Sequence, residues 1–139
     1  MYEENSLTIK RVDHIAIVVE SLDVALGTYH DALGLELDHV VEIPDQGVKA
    51  AFLPVGDGEI ELLEPLSPES SIGKYLARRG EGLHHICLEV DDIETALAEL
   101  KARGAALIDE TPKQGAHGRI AFIHPRSAHG VLIELVERA

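Results

Sequence analysis

Hydrophobic and polar positions along this chain fall into a pattern that is written twice. Residues 12–19 (VDHIAIVV) form a short, nearly continuous apolar run of the kind that makes a buried strand. Ser21 and Asp23 follow as N-cap candidates. Val24, Leu26, Tyr29 and Leu33 then recur at roughly helical spacing, and Gly34 suits a helix stop. Residues 84–90 (HHICLEV) repeat the strand, Asp91 or Asp92 the cap, residues 93–103 the helix and Gly104 the stop. His14 and His85 stand at the same place in the two phrases, 71 residues apart, and the same offset pairs Leu26 with Leu97.

The second half of each phrase also matches. KAAFLPVGDGEIELLEP (49–65) aligns with RIAFIHPRSAHGVLIELVE (119–137), pairing Phe52 with Phe122 at an offset of 70. A loop three residues longer in the second copy then pairs Glu61 with Glu134 at an offset of 73. Each pair of apolar runs is broken by a turn signal, Gly56-Asp57-Gly58 in one copy and residues 127–130 in the other. Landmarks aligned in one order are more than chance supplies. The pattern predicts an α+β fold of two tandem βαβββ modules within one domain spanning residues 1–139. Module one takes residues 10–66 and module two residues 82–137, with a linker over 67–81 that contains a short helix near 71–79.

Composition narrows the function classes. Twelve basic residues against 25 acidic ones give a net charge of −13, so the chain has neither the basic face of a nucleic-acid binder nor an affinity for anionic membranes. No apolar run approaches the length of a membrane span, and the start MYEENSLTIK lacks a charged-then-apolar signal pattern. One cysteine, Cys87, excludes an internal disulfide. The expected setting is the cytoplasm.

The repeat also assembles chemistry. Each module offers one histidine on its first strand and one glutamate on its last: His14 and Glu61, then His85 and Glu134. Both glutamates interrupt apolar runs (IELL and IELV), an expensive place for a carboxylate without a partner. Two imidazoles and two carboxylates suit a divalent transition metal whose remaining positions are open to water or substrate, held in a cleft shared by the modules. His84 falls on the opposite face from His85, and Cys87 is expected as a small core residue. His30 and His39 have no counterpart in the other module and are expected at the surface. The acidic run Glu89-Val90-Asp91-Asp92 reads as a cap and a solvated edge. Residues 110–130 gather Lys113, His117, Arg119, His124, Arg126 and His129 into a basic concentration, a candidate rim for an anionic ligand.

These residues resemble the vicinal oxygen chelate superfamily and, within it, the methylmalonyl-CoA epimerase family. The phrases that carry the likeness are DHIAI (13–17), DQGVKAAFLPVGD (45–57), IELLEPL (60–66), GEGLHHICLEVDDI (80–93), KQGAHGRIAFIHP (113–125) and GVLIELVE (130–137). They span nearly the whole chain. DHIAI is common to the superfamily, whereas GLHHI, GAHG…HP and GVLIEL in this order are more specific. The family's metal ligands carry over to His14, Glu61, His85 and Glu134, the four already picked by the repeat. Gln replaces the carboxylate at the Glu61 place in some members.

The resemblance implies a metal-dependent isomerase that removes and returns the C2 proton of methylmalonyl-CoA through an enolate. It also implies Co2+, with Mn2+, Ni2+ or Zn2+ as alternatives, and a homodimer acting on a small acyl-CoA substrate. Glu134 is the expected catalytic base, and Gln46, Lys113, His117 and Arg119 the expected substrate-binding residues. Some bacterial members carry a second catalytic Glu where this chain has Ala50, so the second base is open, with Gln46 (through a water) and Glu61 as candidates. The rival reading is a glyoxalase I-type lactoylglutathione lyase. A dioxygenase is disfavoured because that chemistry uses two His and one carboxylate.

Overall fold

The computed structural model describes residues 7–139. Strand β1 (Ile9–Val18) leads into helix α1 (Leu22–Leu26), followed by strands β2 (His39–Ile43), β3 (Val48–Val55) and β4 (Gly58–Pro65). Helix α2 (Ser71–Arg79) precedes the second set: β5 (Gly82–Val90), α3 (Ile93–Ala102), β6 (Lys113–Gln114), β7 (Gly118–Ile123) and β8 (Ile133–Arg138). The order is βαβββ twice, with α2 in the connection, as the repeat predicts. Two compact units result, one of residues 14–84 and the other of residues 85–139 together with the start of β1 through Asp13.

Within the first unit the strands run in the order β2-β3-β4-β1. β2–β3 and β3–β4 are antiparallel hairpins, and β4 lies parallel to β1 with Ala16 beside Glu61. Within the second, the order β6-β7-β8-β5 repeats this, with β8 parallel to β5 and Cys87 beside Glu134. Parallel pairing needs a crossover, which α1 and α3 supply.

Side-chain alternation divides each sheet into two faces. In the first unit, Val19, Leu22, Ala51, Leu53 and Leu62 pack on the α1 side. Ala16, Val18, Val48, Ala50, Phe52 and Leu63 pack on the other side with Ile72 of α2. In the second unit, Val90, Ala121, Ile123 and Leu135 pack against Ile93, Ala96 and Leu97 of α3. Cys87, Ile120 and Val136 cluster on the opposite face, so the cysteine is a buried core residue.

The helix starts are built alike. Ser21 caps α1 by accepting from the Val24 N–H, and Asp92, the second of the two candidate aspartates, caps α3 through the Glu94 and Thr95 N–H groups. Those bonds, the Thr95 backbone one foremost, hold the Asp92 carboxyl below its ordinary pKa. A further carboxylate reaches each helix from the last strand of its module. Glu64 accepts from the Leu22 N–H at 2.8 Å, and Glu137 accepts from the Ile93 N–H at 2.9 Å. These two sit three residues after Glu61 and Glu134, on the opposite face of their strands. The repeat therefore runs deeper than its four ligand candidates.

The first helix departs from the expected register. Leu22–Leu26 is α-helical, but Gly27–Ala32 widens into a π-helical stretch in which the Leu33 N–H reaches the Thr28 carbonyl, five residues back. The extra width rotates later side chains off the α-helical stripe. Leu22, Ala25, Leu26 and Tyr29 face the sheet, while Val24 and Leu33 are 77% and 63% exposed. Gly34 and Gly104 close the two helical segments at φ +77° and +88°, a region that favours glycine.

Candidate metal and substrate site

Each sheet presents one histidine–glutamate pair on the face turned away from its crossover helix. In the first unit, Ala16 and Glu61 are parallel neighbours, so His14 lies two residues back on the same face. His14 Nε2 and Glu61 Oε2 are 3.8 Å apart. In the second unit, His85 Nε2 and Glu134 Oε1 are 2.9 Å apart. His14, His85 and Glu134 are all buried, at 6–7% exposure.

The donor sets fit a divalent metal ion. Imidazole nitrogen and carboxylate oxygen are ligands for such ions at about 2.0–2.2 Å, and two of them at right angles stand about 3 Å apart. The His85–Glu134 separation of 2.9 Å is that of adjacent ligands, and the 3.8 Å of His14–Glu61 is somewhat wider. The sole cysteine, Cys87, is buried two residues along β5 from His85 and on the same face, beside Glu134.

A phenylalanine accompanies each pair. Phe52 stands directly opposite Glu61 across β3–β4, and Phe122 directly opposite Glu134 across β7–β8. Phe122 meets the His85 ring edge-on, with centroids 5.8 Å apart. The Lys113 ammonium lies over the Phe122 ring at 5.4 Å from its centroid and 3.5 Å from Asp109. Lys113 is thus on the same face as His85 and Glu134, with its charge at an apolar wall.

Arg119 is not. It alternates to the α3 side of β7, where its guanidinium donates to Glu94 at 2.6 Å and to Glu137 at 3.0 and 3.1 Å. Those bonds, to Glu94 first, hold its pKa above the ordinary value. A strand residue one position off the ligand parity faces the other way, so the expected substrate role of Arg119 gives way to tying α3 to the sheet. His117 lies half-buried in the bend before β7, where its carbonyl accepts from the Ala139 N–H. Arg126 is exposed on a 3₁₀ turn whose N-cap is His124.

Gln46 is exposed in the 3₁₀ turn before β3. It lies beyond the Val48–Pro65 rung, whereas Glu61 is four rungs away opposite Phe52. At about 3.3 Å per residue that is more than 13 Å of strand between the Gln46 turn and Glu61. Ala50 is fully buried in the apolar cluster with Val48 and Phe52.

Three other residues depart from or refine the sequence reading. Glu89 is not a solvated edge: it is 8% exposed and accepts from Arg11 Nε at 2.7 Å. His84 packs edge-on against Tyr75. His39 is exposed, as expected, but it pairs across β2–β3 with Phe52, so it shares the face of Glu61. Two residues in succession on paired strands, His39 to Phe52 and Phe52 to Glu61, were invisible without the strand register.

Comparison with known proteins agrees with this geometry. The profile of the Glyoxalase/Bleomycin resistance protein/Dioxygenase superfamily matches residues 13–122. The mitochondrial methylmalonyl-CoA epimerase of Mus musculus is 39% identical over 127 residues, covering 90% of this chain and 71% of the relative. The ethylmalonyl-CoA/methylmalonyl-CoA epimerase of Cereibacter sphaeroides is 41% identical over 130 residues, covering 91% and 97%. A solved methylmalonyl-CoA epimerase in complex with methylmalonyl-CoA and NH4+ superposes with a TM-score of 0.85 at 37% identity, covering 95% of this chain and 96% of that one. The chain therefore belongs to the glyoxalase/bleomycin resistance protein/dioxygenase superfamily and, within it, to the methylmalonyl-CoA epimerase family.

Proposed function

We propose that this protein is a methylmalonyl-CoA epimerase, a metal-dependent isomerase that inverts C2 of methylmalonyl-CoA. The observation that carries the reading is the pair of His–Glu couples at matched places in two modules, together with relatives of that activity along nearly the full chain. His14, Glu61, His85 and Glu134 hold one divalent ion between them, with Co2+ the first candidate. When bound, the ion supplies a Lewis acid for the charge that develops on the substrate carbonyl oxygens. Glu134 has two carboxylate oxygens, so it can serve as a ligand by one and take the C2 proton with the other. Phe122 keeps water from that carboxylate. Lys113, over the same ring, draws in the substrate carboxylate against the chain's net charge of −13. The protein works in the cytoplasm as a homodimer. Among the described residues no helix is long and apolar enough to cross a membrane.

The test uses the full chain loaded with Co2+ in deuterated buffer. Either epimer of methylmalonyl-CoA should exchange its C2 proton and reach an equal mixture of both, followed by NMR. The hemithioacetal of methylglyoxal and glutathione should be turned over poorly. No C2 exchange above the buffer blank, or a preference for the hemithioacetal, would refute the assignment.

A further inference from the structure

Seven of the twelve Lys and Arg side chains pair with carboxylates. Among the described residues the other five, Lys49, Lys74, Arg78, Arg79 and Arg126, have no carboxylate partner. Three of those five stand on α2. Arg79 lies over the Tyr75 ring, 5.6 Å from its centroid. Lys74 and Arg78 are exposed, one helical turn apart, and neither is neutralised. Like charges at that spacing weaken a helix. In a chain of net charge −13, two such cations kept side by side point to an anion that comes from outside.

They border a groove between α2 and the segment that follows β4. Its larger part, about 500 Å³, is walled by Pro65, Leu66 and Pro68 against Leu76 and Ala77 of α2, with Glu20 as its one carboxylate. The adjoining part, about 430 Å³, is lined by Pro68, Lys74, Ala77 and Arg78. Pro68 and Ala77 belong to both, so apolar wall and cations form one surface. Two other nearby carboxylates are turned to backbone N–H groups, Glu64 to that of Leu22 and Glu81 to that of Glu20. The groove is preformed. Ser70 Oγ donates to the Ser67 carbonyl at 2.9 Å and accepts from the Gly73 N–H at 3.0 Å. A Cβ on Gly73 would come within 2.3 Å of the Ser67 carbonyl oxygen, so α2 is pressed tightly onto this segment.

The groove also lies on the ligand face of its unit. Ile72 of α2 packs with Ala16, Val18 and Leu63, the face that carries His14 and Glu61. Pro65 follows Glu61 by four residues on β4, which places it on that face about 13 Å along the strand.

We propose that this groove binds the nucleotide end of the acyl-CoA, with the adenine against Leu66, Pro68 and Leu76 and the phosphates at Lys74 and Arg78. This rests on the epimerase reading above. An acyl-CoA has the matching layout: a flat base and a cluster of phosphates at one end, the thioester at the other, and a flexible pantetheine arm between them that spans such a distance. Glu20 repels phosphate from the larger part of the groove, which sets the orientation. The nucleotide is remote from C2, so holding it lowers KM and leaves the chemical step unchanged.

The test first reads binding. Adenosine 3′,5′-bisphosphate, which carries the nucleotide without the acyl arm, is titrated calorimetrically into the Co2+-loaded full chain. The parent should bind it, and the double variant Lys74→Gln/Arg78→Gln should bind about tenfold more weakly or worse. Lys49→Gln/Lys101→Gln removes the same charge elsewhere and should match the parent. Kinetics then compare methylmalonyl-CoA with the methylmalonyl thioester of N-acetylcysteamine, which lacks the nucleotide. The α2 double variant should raise KM about tenfold or more for the first at little change in kcat, and leave the second as in the parent. No binding by the parent, equal binding by the α2 variant, or a loss shared by both thioesters overturns the proposal while leaving the epimerase reading intact. A parent that binds the bisphosphate and epimerises neither thioester removes the epimerase reading and leaves the groove a nucleotide site.

Discussion

Asp13, next to His14 on β1, makes a sharp stability prediction. Its side chain is 1% exposed, and its Oδ1 accepts from Arg138 Nε at 2.6 Å and Arg11 Nη2 at 3.1 Å. Oδ2 accepts from Arg138 Nη2 at 3.2 Å. Asp13→Asn preserves the shape but removes the charge, and its amide group then sets a donor against a guanidinium donor. Removing one member of a buried ion pair costs about 3–5 kcal/mol. The low end applies, because Arg11 keeps its 2.7 Å bond to Glu89 and the two arginines are 31% and 34% exposed. At an unfolding entropy of about 2.1 cal/mol/K per residue, a 139-residue chain loses about 10 °C of Tm for 3 kcal/mol. Thermal unfolding followed by circular dichroism at pH 7, on metal-free protein so that no ligand adds stability, reads this directly. Lys101→Ala is the control. It breaks the Lys101–Glu110 pair, whose side chains are 65% and 64% exposed, and should cost at most about 1 kcal/mol. A shift under about 3 °C for Asp13→Asn, or one no larger than the control's, would show that the buried charge network is not holding β1 to β8.

Further outcomes follow from single contacts. Glu134→Gln and Glu61→Gln both retain an oxygen donor. At equal metal occupancy, epimerisation should fall by about 10²–10⁴-fold in the first and stay near the parent rate in the second; near-parent activity in Glu134→Gln would make that carboxylate a ligand alone. Gly118→Ala should cost about 3 kcal/mol or more, seen as a lowered midpoint in urea unfolding. Its Cβ would come within 2.2 Å of the Glu137 carbonyl at a residue with φ +154°. Asp92→Ala should be less stable than the parent at neutral pH. The parent's folded carboxyl has a lowered pKa, so the gap is fully present above about pH 4, the ordinary carboxyl value, and closes as the pH falls through the lower folded value. A gap unchanged down to pH 2 would show that the charged form is not the cap.

Module order, the two caps, the connecting helix and both His–Glu couples were legible in the sequence because the repeat let each be read twice. An isolated histidine before an apolar run says little, but His14 and His85 at one offset, with Glu61 and Glu134 at nearly the same one, carry their own control. Where the two copies diverge, local pattern misled. Leu33 was expected on the helical stripe, yet the π-helical stretch from Gly27 turned it outward, and Val24 falls off the stripe that Leu22, Ala25, Leu26 and Tyr29 form. Glu89 looked like part of an acidic edge because its partner, Arg11, stands 78 residues away.

Chain order determined which residues each module brings to its strands, since alternation on a strand depends only on neighbours in sequence. Tertiary pairing decided which residues share a face across strands. Arg119 and Lys113 lie in one basic segment, but Arg119 falls opposite Glu137 and turns to α3, while Lys113 falls opposite Ile120 and stays with Phe122. His39 and Gln46 are both polar residues near β2, yet the β2–β3 register sets His39 beside Phe52 and leaves Gln46 out on a turn. Register is a property of two strands at once, and a shift of one residue reverses every face, so no single segment of sequence can encode it alone.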